Sequence, residues 1–218
     1  LLMKRKNTGS DDGMYELPGG HLEVNEDLYE AMIREVKEEL LIDLKKEDIN
    51  VLFGEGYELT NIGSLTQPGQ FKSKEVVTIK TEKSEINNVR VLGPVRNYTQ
   101  VEISKTDSFA LGINPPVRNS GDLEGAALVK IIGPKGEVEV PAAIIASRHV
   151  HATKEDAIKY GFLDKEFVSI KVKGEKAGIL ENVYVRVNDS FSYEVHLDTD
   201  DANAFLIKNG DEAELIVE

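Results

Sequence analysis

A repeat inside this chain restricts its possible folds more than any other feature. Shifting the sequence by 94 positions lays Asn88-Val89 on Asn182-Val183, Val91 on Val185 and Val101 on Val195. In the same register Asp107 falls on Asp201, Ala110 on Ala204 and Ile113 on Ile207. A shift of 108 lays Lys46-Glu47-Asp48 on Lys154-Glu155-Asp156. The matches cluster and keep one register over 26 positions, so chance pairing of common residues is the poorer explanation. The two registers differ by 14 residues, which calls for an insertion in the first copy, around Thr66 to Lys74. Residues from about 44 to 218 therefore read as two related halves.

Within the halves the texture is that of short strands. Alternating runs occur at Val76 to Ile79, Val89 to Leu92, Val101 to Ile103, Ala143 to Ala146, Val168 to Val172, Val183 to Val187, Tyr193 to Leu197 and Glu214 to Val217. Turn formers separate them, among them Gln67-Pro68-Gly69, Gly93-Pro94, Asn114-Pro115-Pro116 and Asn209-Gly210. That spacing predicts small barrels or sandwiches with a few short helices. Thr153 before Lys154-Glu155-Asp156 reads as a helix N-cap and Gly161 as the stop. The first forty residues differ. Leu28, Met32, Val36 and Leu40 recur every four residues behind Asn25, an amphipathic helix, with the Pro18-Gly19-Gly20 loop upstream. The expected fold class is mainly β with short helices: two small related β-barrel domains preceded by a partial α/β fragment, a hairpin or loop plus one amphipathic helix. The division is 1–43, 44–115 and 116–218, with strands free to pass between the halves.

Composition narrows the function. A net charge of −13 with no long run of Lys or Arg argues against a nucleic-acid groove. No apolar run approaches the ~20 residues of a membrane helix, and Leu1-Leu2-Met3 before Lys4-Arg5-Lys6 is too short for a signal peptide. The cytoplasm is the expected compartment, and a start at Leu-Leu suggests an internal fragment. There is no cysteine, hence no thiolate nucleophile or ligand.

Three of the four histidines stand as His149-Val150-His151 and His196. On a strand, positions i and i+2 share a face, so the first two can grip one ion. The 94-residue register sets Glu102 against His196. Three neutral imidazoles and a carboxylate make a donor set suited to Zn2+ or a similar ion.

Several longer segments carry a specific resemblance. They include Leu65-Thr66-Gln67-Pro68-Gly69-Gln70-Phe71, Val89-Arg90-Val91-Leu92-Gly93-Pro94-Val95-Arg96, Thr99-Gln100-Val101-Glu102-Ile103-Ser104, Pro115-Pro116-Val117-Arg118-Asn119-Ser120-Gly121-Asp122 and Ser147-Arg148-His149-Val150-His151. Through these, residues 44–218 resemble the phosphate propanoyltransferase, or phosphotransacylase, family of propanediol utilisation. The resemblance implies two β-barrels with a two-metal site between them, usually zinc. It implies exchange of an acyl group between CoA and phosphate, with acyl-CoA and phosphate as partners. Glu102, His149, His151 and His196 match the family's metal ligands, and Arg96 matches a phosphate-binding arginine. A homo-oligomer and association with a bacterial microcompartment also fit, whereas acyl-chain preference is not set.

The family carries an earlier His-x-His. Stepping back 108 residues from His149 and His151 reaches Leu41 and Asp43. Asp43 remains a weak ligand and Leu41 is none, so one of the two metal positions is expected to be intact. The strand carrying that first pair is expected to have been replaced.

Residues 1–43 resemble instead a truncated segment of a Nudix hydrolase. Gly20, Glu26, Arg34-Glu35-Val36-Lys37-Glu38-Glu39-Leu40 and Ile42 fit the Nudix box, with Leu41 where its glycine belongs. Glu35, Glu38 and Glu39 share a helix face and suit Mg2+ on a diphosphate. Three functions follow: a metal-dependent phosphate acyltransferase, impaired if the first His pair is lost; an inactive metal- and CoA-binding remnant; and a Nudix diphosphate hydrolase.

Overall fold

The computed structural model describes residues 40–216 and, for the backbone alone, 3–4 and 15–16. The strands β1 (Met3–Lys4) and β2 (Tyr15–Glu16) pair antiparallel. The expected helix behind Asn25, with Glu35, Glu38 and Glu39, lies outside the described residues, except that Leu40 is buried in the first core just ahead of a strand.

From residue 41 onward the order is β3 (Leu41–Lys45), α1 (Lys46–Phe53), β4 (Asn61–Ser64), β5 (Phe71–Lys80), β6 (Glu85–Arg96), β7 (Gln100–Glu102), α2 (Lys105–Leu111) and β8 (Val117–Arg118). The second part runs β9 (Ala127–Ile132), β10 (Glu137–Ala146), β11 (His149–Ala152), α3 (Lys154–Tyr160), β12 (Phe167–Val172), β13 (Gly178–Val187), β14 (Glu194–His196), α4 (Thr199–Phe205) and β15 (Ala213–Ile216). The expected strands are all present. Thr153 caps α3 through a reciprocal pair with Asp156, and left-handed Gly161 ends the helix.

Strands β5, β6, β3, β7, β10 and β9 close on one another as a six-stranded barrel, with β4 added to β5 and β8 to β10. Closure removes the open edges of this sheet. Alternation fills its interior: Ile42 and Leu44 of β3, Val77 and Ile79 of β5, Val89 and Val91 of β6, and Val129 and Ile131 of β9 are buried together with α1. Strands β14, β11, β13, β12 and β15 form a curled half-barrel over a second core that includes Val150, Phe162, Ile170, Val183 and Val185. The mainly β architecture with four short helices among the described residues thus agrees with the expected class.

The pairings reproduce the repeat strand by strand. In the barrel, β3 runs parallel to β6 with Leu41 opposite Arg90, and antiparallel to β7 with Leu41 opposite Glu102. In the half-barrel, β11 runs parallel to β13 with His149 opposite Tyr184, and antiparallel to β14 with His149 opposite His196. These are the 108- and 94-residue shifts. The same shifts carry α1 onto α3 and α2 onto α4.

One expectation needs correction. The strand bearing the Leu41 and Asp43 positions is not replaced: β3 is intact at the centre of the barrel, because its backbone ladder and the inward Ile42 and Leu44 do not depend on the outward side chains. Residues 41–43, counted with the N-terminal segment, therefore belong to the first barrel. Strands β8, β9 and β10 also pair within the first sheet although they follow residue 115, an instance of strands passing between halves.

A candidate metal centre beside an arginine-lined cleft

On β11, Val150 and Ala152 face the half-barrel core, which leaves His149 and His151 on the other face. Antiparallel β14 brings His196 directly opposite His149. The rings of His149 and His196 stack at 4.8 Å and 4°, and His151 lies 4.6 Å from His196, centroid to centroid. One ligand atom from each of the three histidines lies within 4.8 Å of the others. Nitrogens around one tetrahedral zinc sit about 3.4 Å apart, given Zn–N bonds of about 2.0–2.1 Å.

The nitrogens are available. His149 is fixed by its Nδ1 against the Ser147 carbonyl at 2.9 Å, which makes Nδ1 the donor and leaves Nε2 with its lone pair. Both ring nitrogens of His151 are buried without a hydrogen-bond partner. The Nε2 of His196 is 3.2 Å from a Glu194 carboxylate oxygen but does not form a hydrogen bond with it. Burial, reinforced by the neighbouring His196, lowers His149 to about 4 and His151 to about 3. His196 is lowered as well, chiefly by burial. All three rings are neutral near pH 7, the form that binds a metal.

Glu102 is not within this three-histidine group. Its carboxylate accepts from Gln100 Nε2 at 2.7 Å, and burial raises its pKa. Gln100 is only 1% exposed and is held by Ser120 and the Gly121 amide, so Glu102 belongs to an interior polar network. Asp43 does not face a free site: Arg96 Nε lies 3.2 Å from its Oδ1. Burial raises the Asp43 pKa, and Arg96 opposes the shift.

Arg96 lines a cleft of about 230 Å³ with Gln67, Pro68, Gln70, Pro94 and Phe191. Gly93 lets β6 pass beneath the Phe71 ring at this lip, since a Cβ there would stand 2.0 Å from that ring. Phe191 joins cleft to histidines by stacking on His151 at 4.1 Å. Sequence reasoning missed Gln67, Arg186 and Phe191. Gln67 is buried and bonds Ser192 and Glu194 from the other half. Arg186 sits opposite His151 on β13, its guanidinium 5.7 Å from the Phe191 ring centre. The only prior signal was that Gln67 falls within the insertion.

A closed barrel and a related half-barrel, with a largely buried cluster of three imidazoles that could hold a metal ion beside an arginine-lined cleft, define a duplicated β-barrel protein. The family profile of phosphate propanoyltransferase matches residues 39–208. A phosphate propanoyltransferase of Thermotoga maritima is 52% identical over 172 residues, covering 78% of this chain and 82% of its own length. One of Clostridioides difficile is 45% identical, covering 87% of this chain and 96% of its own. Another, of Listeria monocytogenes, is 39% identical with 88% and 97% covered. The chain belongs to the phosphate propanoyltransferase family. The Nudix resemblance of residues 1–43 has no support among these comparisons. No helix among the described residues is long and apolar enough to cross a membrane.

Proposed function

We propose that this chain is a phosphate acyltransferase, catalysing acyl-CoA plus phosphate to acyl phosphate plus CoA. Membership of the family supports the reaction. The observation that carries the site is the group of three neutral imidazoles, in which both ring nitrogens of His151 and Nε2 of His196 are buried without a partner. Leaving such atoms unpaired costs about 1–3 kcal/mol each, so a ligand for them is the economical explanation.

His149, His151 and His196 would hold one zinc ion, with Glu102 as a fourth donor after a side-chain shift away from Gln100. Bound there, zinc would polarise the thioester carbonyl and attract phosphate. A phosphate oxygen bonds to the carbonyl carbon, the C–S bond breaks, and CoA departs as its thiolate. Arg96 holds the phosphate through its planar donor fork, steadied by Asp43. Phe191 and the 67–70 turn line the cleft, and a bound acyl-CoA packed against them would displace water and limit hydrolysis of the thioester. The family's second metal position lies at Leu41 and Asp43, where Leu41 offers no donor and Asp43 is the weak ligand left. Two related halves that exchange strands, a homo-oligomer, a cytoplasmic or microcompartment location and propanoyl-CoA or acetyl-CoA as donor belong to this reading as extensions of the resemblance.

Elemental analysis tests the site. The wild-type chain should hold about one zinc and His151→Ala should hold none. Zinc at a hundredfold its Kd should add about 2.7 kcal/mol of stability to the wild type alone. Equal zinc in both proteins would remove the imidazoles from the site.

A further inference from the structure

We infer that Arg186 is a second phosphate-binding arginine, gripping from β13 the same phosphate that Arg96 meets from β6. The inference rests on the acyltransferase reading and adds a residue to it.

Register gives the placement. Arg186 pairs with His151 across parallel β11 and β13, and directly paired residues point to the same face from strands about 4.8 Å apart. His149 and His151 share that face, and His196 joins it from β14. Arg186 is therefore in the row of side chains that carries the imidazole cluster. It is also an electrostatic neighbour of all four groups the metal reading uses: Glu102, His149, His151 and His196.

A half-buried guanidinium in this place needs an explanation. Its one described contact is the face of Phe191, and no carboxylate or carbonyl among the described residues is seen to accept from it. The ion pairs Arg96–Asp43 and Arg148–Asp201 show the usual alternative, an arginine neutralised within the fold. Arg186 sits instead beside a cation site, where two like charges repel unless an anion lies between them. With a divalent metal on the histidines, Arg186 beside it, the Glu102 and Glu194 carboxylates counted and Arg96 balanced by Asp43, the site keeps a net positive charge of about +1. A phosphate anion offsets that charge and has oxygens enough for the metal and both guanidinium forks. The Phe191 ring borders the cleft that Arg96 lines and packs against both His151 and Arg186, so one side chain links the two arginines.

Phosphate groups could come from the acceptor or from CoA. The long pantetheine arm keeps CoA's own phosphates away from its thioester, so the acceptor phosphate is the one assigned. The experiment measures steady-state KM for phosphate and for propanoyl-CoA in the full chain, in Arg186→Ala and in Arg186→Lys, with zinc content and circular dichroism alongside. Arg186→Ala should raise the phosphate KM about ten- to a hundredfold, leave the propanoyl-CoA KM within about twofold and keep its zinc. Arg186→Lys should recover part of the loss as a point charge without the fork. An unchanged phosphate KM, a rise confined to propanoyl-CoA, or loss of zinc or fold in both variants would overturn the assignment. Direct titration of the zinc-loaded proteins with inorganic phosphate separates the two levels. A wild type that turns over nothing yet binds phosphate through Arg186 overturns the reaction and keeps this inference; a wild type that binds phosphate no better than Arg186→Ala overturns the inference.

Discussion

His151 buries two ring nitrogens with nothing to bond, and beside it His149 spends one nitrogen on the Ser147 carbonyl. Such groups make the metal-free fold sensitive to acid. Their folded pKa values, about 4 and about 3, lie below the ordinary 6.5 because burial and His196 disfavour the imidazolium. The unfolded chain therefore takes up protons first as pH falls. This stability is fully present above about pH 6.5 and drains away toward pH 4 and then 3. Glu75 acts in the same direction below its ordinary 4.5: burial opposes its ionisation, but hydrogen bonds from Thr60 and Tyr57 outweigh burial and lower its pKa. Chemical denaturation of the metal-free protein should show a midpoint that falls from pH 7 to pH 5, and His149→Ala with His151→Ala should flatten that slope. A wild-type midpoint constant over this range would contradict the burial of the rings. At this scale the sequence was informative wherever a residue type is rare and its spacing chemical. His149, His151 and His196 were legible from the strand period and the repeat. Arg186 was not, because a single arginine in an alternating strand looks like a surface cation until its cross-strand partner is known.

Strands β3 and β11 are one element used twice, with the same parallel and antiparallel partners. Leu41 stands where His149 stands, and Asp43 where His151 stands. Since the ladder is made by backbone atoms, changing those outward side chains should leave the barrel intact. Leu41→His with Asp43→His should raise bound zinc by about one per chain and release Arg96 from its carboxylate partner. A zinc count equal to that of the wild type would show that the two strands are equivalent in pairing but not in what they can hold. Most strands were legible from alternation and turn residues. The strand β3 was not, because its first residues also fit the end of a Nudix box. Strand β9 escaped notice because Ala127–Ile132 is punctuated by little except Gly125 and Gly133.

Across the molecule the two halves are held in register by the insertion that distinguishes them. Gln67 donates to Ser192 and Glu194 and accepts from the Ser192 amide, while the Ser192 hydroxyl donates to Thr66. Glu194 in turn approaches His196, so the 67–70 turn aligns the cleft with the imidazoles. Gln67→Ala should cost about 1–3 kcal/mol of stability, from buried partners left unpaired. It should lower turnover while zinc is retained; full turnover would mean that the staple does not align the site. This cleft was the least legible feature, because its walls come from an insertion, a strand end and a distant loop that no spacing rule connects. The repeat foretold two halves but not how they meet.

The chain contains no cysteine, so any thiol that appears in solution during the reaction belongs to CoA. The most direct test is therefore thiol release from propanoyl-CoA by the zinc-loaded chain, with and without phosphate. Release that depends on phosphate and disappears in His151→Ala is the expected result. Release that is indifferent to phosphate, or that survives in His151→Ala, would contradict a phosphate acyltransferase built on these histidines.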